Sequence, residues 1–139
     1  MPRCVSFNRA IPSNGQHGPK CPGFCPCYDF GAEFLRGYGW TELIGLRGPI
    51  ASEGVAVGFL LLGPGVEYPP HAHEAVEVYL PLSGTAEWMR GKGPYAPIPP
   101  GEAIRHPSWM PHAMRTGAEP LVAAYVWRGG DLAAKSRIV

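Results

Sequence analysis

The chain has 139 residues and a formal net charge of +1, a size that fits one small domain with a single core. So even a balance of charge gives no electrostatic case for a nucleic acid or an anionic membrane surface as partner. No apolar run approaches the length of a membrane span, and the N-terminus lacks the apolar stretch of a secretory signal, so a cytoplasmic location is the default expectation.

Residues 1–40 read as an irregular arm. Pro12 to Tyr28 is rich in proline, glycine and polar residues and holds Cys21, Cys25 and Cys27. With His17 these are zinc-type ligands, but their spacing matches no paired Cys-x-x-Cys signature. The competing reading is an arm with reduced thiols that contributes no catalytic group. Residues 41–139 read as a β-domain. The chain has 19 glycines and 17 prolines, and after residue 40 they punctuate short apolar runs: Val55 to Leu62, Val76 to Leu82, Thr85 to Met89, Ala103 to Arg105 and Leu121 to Trp127. Short strands bounded by Gly and Pro turns predict an all-β sandwich or barrel, and no amphipathic helix is evident.

One segment concentrates the candidate chemistry: Gly65, five residues, His71-Ala72-His73, three residues, Glu77, six residues, Gly84. On an unbroken strand His71, His73, Glu77 and Tyr79, all at odd positions, share one face, and two imidazoles and a carboxylate converge. Neutral nitrogen with anionic oxygen suits a divalent first-row ion with a position left open. A further ligand comes from a second, looser pattern: Gly101, five residues, Pro107-Ser108-Trp109, two residues, His112, then Thr116. The bland alternative is a set of surface histidines on a β-domain without metal. His106, just before Pro107, stays unassigned, as does His17.

These two segments resemble the paired motifs of the cupin superfamily, the second departing at Trp109, where a glycine is usual, and at Thr116, where an asparagine is usual. The resemblance implies a single-domain jelly-roll barrel and admits a homodimer. Tyr68-Pro69-Pro70-His71-Ala72-His73, Glu77-Val78-Tyr79-Leu80-Pro81-Leu82-Ser83-Gly84, Trp88, Pro111-His112-Ala113-Met114 and Trp127 narrow it further, to the cupin-type dimethylsulfoniopropionate (DMSP) lyases, over roughly residues 54–130. Longer members of that family carry a helical segment before the barrel that has no counterpart in this sequence. The resemblance implies that His73, Glu77 and His112 hold a metal, that Tyr79 beside it acts as base, and that His71, Tyr68 and Trp127 line the pocket. By spacing alone His71 remains a fourth candidate ligand. His and Glu ligands admit zinc, iron, manganese, nickel or cobalt.

The implied chemistry is β-elimination from a small sulfonium carboxylate, giving dimethyl sulfide and acrylate. Tyr79 is the expected base and Tyr68 the competing one. A sulfonium is a permanent cation without donors, so aromatic faces are its natural partners, with Trp88, Trp109, Tyr125 and Trp127 as candidates beside Tyr68. Core packing is the competing reading for each aromatic; Tyr125 and Trp127, for instance, share parity on one strand. Two other functions use the same residues: an iron-dependent dioxygenase, which consumes oxygen, and a non-catalytic module that binds a small acid and forms no product.

Overall fold

The computed structural model describes residues 30–139, so the cysteine-rich segment and His17 lie outside the described residues. A six-residue helix, α1 (Ala32–Gly37), comes first. Its Ala-Glu-Phe-Leu-Arg run is made of helix formers, with Glu33 in the first turn and Arg36 in the last to suit the helix dipole. One turn and a half is too short to show a helical period in sequence, and what holds it is Phe34, buried in the core. The folded unit therefore begins before residue 41.

The strands follow: β1 (Tyr38–Gly45), β2 (Ile50–Ala51), β3 (Val55–Leu62), β4 (Glu67–Ala72), β5 (Val76–Ser83), β6 (Ala86–Arg90), β7 (Ala96–Ile98), β8 (Ile104–His106), β9 (His112–Thr116), β10 (Leu121–Arg128) and β11 (Arg137–Ile138). The five predicted apolar runs correspond to β3, β5, β6, β8 and β10. Glycines break the apolar pattern of β1, and histidine and proline mask β4 and β9, so these three gave no run to read.

Two sheets form, β2-β1-β3-β10-β5-β8 and β11-β4-β9-β6-β7. Every pairing is antiparallel except the short one between β1 and β2. The core lies between the inward faces of the two sheets, where Leu60, Leu62, Tyr79, Trp88, Met114 and Leu121 are buried. Two glycines make the packing possible. A Cβ at Gly58 would stand 1.8 Å from the Thr41 carbonyl oxygen and 2.8 Å from the Tyr125 hydroxyl, so only hydrogen fits there. Gly84 has φ 77 and would drive a Cβ to 1.9 Å from the Pro120 carbonyl oxygen, so both its backbone and its surroundings demand glycine.

The expectation of an unbroken strand from His71 to Tyr79 is corrected. β4 ends at Ala72, the chain crosses between sheets at residues 73–75, and β5 starts at Val76 in the other sheet. His71 and Glu77 thus approach from facing sheets. A register shift at Pro69-Pro70 also turns both Tyr68 and His71 inward, although they differ in parity.

Candidate metal centre

His71 on β4 lies opposite His112 on β9, His73 follows β4, and Glu77 sits on β5 between Trp127 of β10 and His106 of β8. All are buried except Trp127, which is half-buried. Three of the imidazoles are pinned alike. His71 Nδ1 lies 2.7 Å from the Pro69 carbonyl, His73 Nδ1 2.9 Å from that of Ala75, and His112 Nδ1 2.8 Å from that of Met110. A carbonyl can only accept, so in each ring Nδ1–H donates and Nε2 is left as a bare lone pair.

Those lone pairs crowd onto an anion. Glu77 Oε2 is 3.1 Å from Nε2 of His73 and 3.1 Å from Nε2 of His112, and His112 Nε2 has no hydrogen-bond partner. Acceptors facing acceptors in a buried site repel unless a cation stands among them, either a proton or a metal ion. The ligand atoms of His71, His73 and His112 lie within 4.8 Å of one another, as do those of Glu77, His106 and His112. The donor set therefore fits a divalent ion with nitrogen and oxygen ligands. Burial would push the Glu77 carboxyl up; hydrogen bonds from His106, His112 and His73, made when a ring proton faces Oε2, outweigh it and hold the group well below the usual carboxylate range. His71 is pushed well below the usual histidine range, by burial first and then by His112.

A cavity adjoins this centre and shares Glu77 and Tyr79 with it. Tyr68, stacked on His71 at 3.9 Å, Tyr125 and Trp127 also line it. Trp127 donates its Nε1–H to Glu77 Oε1 at 2.5 Å, and its ring lies 4.2 Å from that of His73. Tyr125 donates to the Thr41 carbonyl at 3.0 Å, which turns its hydroxyl toward the wall. Tyr79 is buried, and burial followed by the charge of Glu77 keeps its phenol pKa well above the ordinary value.

Two predicted contacts are not brought into the cavity. Trp88 is buried in the core against Tyr79, outside the lining residues. Trp109 is 46 % exposed, with Arg137 over its ring at 5.1 Å. It is the one non-glycine among the described residues with positive φ, at 58, which is the backbone reason a glycine is usual there. Its N–H bonds to the His73 carbonyl at 2.8 Å, so the backbone serves the site while the side chain leaves it. Thr116, the other departure, anchors the loop before β4 by donating to the Gly63 carbonyl at 2.6 Å and accepting from the Val66 N–H at 2.9 Å.

The sequence reading missed several residues. Phe30, Tyr38 and Trp40, from the stretch read as arm, line the cavity, as do Glu42 and Arg47. His106 is fully buried, stacked on His112 at 4.1 Å and 9°, with Nδ1 3.6 Å from Glu77 Oε2. The alternation Ile104 in, Arg105 out, His106 in is the signal that would have found it.

The sequence model of the dimethylsulfoniopropionate lyase family matches residues 27–123. Dimethylsulfoniopropionate lyase DddQ of Ruegeria pomeroyi is 39% identical over 99 residues, which cover 71% of this chain and 49% of that protein. The chain thus spans about half the length of this curated relative. The crystal structure of the same lyase superposes with a TM-score of 0.73 at 38% identity, covering 78% of this chain and 55% of that one. A cupin-2 domain from Rhodospirillum rubrum, 19% identical, shares the fold with a TM-score of 0.64 over 78% of this chain and 68% of its own.

Proposed function

This chain belongs to the dimethylsulfoniopropionate lyase family, and from that premise we propose that it cleaves DMSP, or a closely similar β-sulfonium carboxylate, to dimethyl sulfide and acrylate. The observation that carries the proposal is the convergence of Nε2 lone pairs on Glu77 Oε2, beside an aromatic cavity that shares Glu77 and Tyr79. A divalent ion held by His73, Glu77, His112 and His71 would bind the substrate carboxylate, spread the charge that develops next to it and favour the phenolate of Tyr79. Zinc, iron, manganese, nickel and cobalt all suit these donors.

The chain's own groups supply the rest. The Tyr79 phenolate takes a proton from the carbon next to the carboxylate. The C–H electron pair becomes the C=C bond, the C–S bond breaks, and its pair leaves with dimethyl sulfide. Because burial and Glu77 oppose ionisation of Tyr79, the protein stripped of metal should be inactive. Tyr68 and Trp127 offer ring faces to the sulfonium, and Tyr68 positions substrate without taking the proton. Trp88 supports Tyr79 from behind.

The test is a headspace assay for dimethyl sulfide on protein stripped of metal and reconstituted with each of the five ions in turn. Release with at least one ion and none from the stripped protein is expected. No release with any ion would contradict the proposal.

A further inference from the structure

We infer that His106 is a positioning residue for Glu77, its Nδ1–H turned toward Oε2 from 3.6 Å and orienting the carboxylate that faces the metal. The inference rests on reading the site as a divalent-metal centre. Cross-strand register sets Trp127, Glu77 and His106 in one row across β10, β5 and β8. Trp127 already holds Oε1 through its indole N–H. His106 Nδ1, at 3.6 Å, is the nearest ring nitrogen to Oε2 after those of His73 and His112. With a metal ion among them those two nitrogens are bare acceptors and cannot orient the oxygen through an N–H; His106 can.

The contrast among the imidazoles is the main support. His71, His73 and His112 each spend Nδ1–H on a backbone carbonyl, whereas neither ring nitrogen of the fully buried His106 has a hydrogen-bond partner. No carbonyl dictates its tautomer, so the adjacent carboxylate does, drawing the proton to Nδ1. Stacking on His112 keeps the ring plane from turning away. A carboxylate with one oxygen held from each side presents a single orientation, which is what a ligand supported by outer partners requires.

The test is titration of the metal-stripped protein with cobalt(II), followed by visible absorption. His106→Leu removes the donor and the stacking, while His106→Asn restores an N–H at the place of Nδ1 without the ring. Loss of an outer partner typically weakens metal binding about 10- to 100-fold. We expect that loss in His106→Leu, with the shape of the cobalt spectrum unchanged, and recovery of most of it in His106→Asn. Should His106→Leu not fold by circular dichroism, His106→Gln, whose amide lies one methylene further out, takes its place with the same expected loss. Cobalt affinity equal to the parent in the leucine or glutamine variant would overturn the inference. So would a spectrum of lowered coordination number without rescue by asparagine, which would make His106 a ligand. The titration uses no DMSP, so a protein that released no dimethyl sulfide yet followed this pattern would lose the lyase reading and keep this one.

Discussion

Strands β5 and β10 carry two interleaved sequences with opposite surroundings. Facing inward, and paired across the strands, are Glu77 with Trp127 and Tyr79 with Tyr125; facing outward are Val78 with Val126 and Leu80 with Ala124. The polar and aromatic groups are thus inside, while Leu80, Leu82 and Val126 stand exposed on the outer face. Apolar residues are common on protein surfaces, so the outer face needs no special explanation, whereas buried charge and lone pairs need partners. The inner face meets that demand by accumulating partners around Glu77, and substitutions there should be felt in chemistry out of proportion to their size.

The largest effect is expected from His112→Ala. It should abolish stoichiometric metal in elemental analysis, where the parent should hold about one ion per chain, and abolish dimethyl sulfide release, while circular dichroism still reports a folded β-protein. Full occupancy in the variant would mean the ligands are wrongly assigned. Next comes Tyr79→Phe, which keeps the ring and removes the proposed base. A loss of about a hundredfold to ten-thousandfold is expected in turnover number with affinity largely kept, whereas Tyr68→Phe should weaken binding modestly. Equal turnover losses in the two variants would mean that both share the proton transfer.

Trp127→Phe sharpens the comparison, because it removes only the hydrogen bond to Glu77 Oε1 and keeps an aromatic wall. Metal affinity should fall by about tenfold or somewhat more, as for other outer partners of ligands, and an unchanged dissociation constant would remove this support for Glu77. Acidification tests the buried imidazoles together. In the metal-stripped protein His71 and His106 resist protonation, burial being the main cause, so below about pH 6.5 the unfolded chain binds more protons than the folded one. Glu77, held below the usual carboxylate range, adds a loss of the same sign at lower pH. Thermal melts should therefore show stability falling steadily on the acid side; stability rising on acidification would contradict the assigned directions. The smallest effect belongs to the outer face: Leu82→Thr, at a side chain 47% exposed, should change stability by no more than about 0.5 kcal/mol in denaturant unfolding and leave turnover alone. A large loss of activity there would erase the contrast between the faces.

The family, the all-β class and the five strands with clear apolar runs were legible because Gly and Pro bracket them and the His and Glu spacings are specific. His73, Glu77 and His112 stand out for the same reason, and the structure brings them together, although it does so across two sheets. For His106 the local alternation on β8 marked an inward side chain, but its place beside Glu77 depends on the pairing of β5 with β8, which no local pattern encodes. Phe30, Tyr38 and Trp40 were hidden by the glycines among them and by the absence of a run long enough to read as a strand. Trp109 looked like a wall of the pocket because aromatic identity was visible and its left-handed backbone was not. The cysteines of the arm fall outside the described residues.

The most direct measurement follows the products formed from DMSP carrying deuterium on the carbon next to the carboxylate. Protein loaded with its most active metal should convert it to dimethyl sulfide and acrylate in equal amounts, seen by gas chromatography and proton NMR, at a rate below that of the unlabelled substrate if proton removal limits turnover. Formation of a hydroxy acid in place of acrylate, or oxygen consumption coupled to product formation, would contradict elimination by a metal-assisted base at this site.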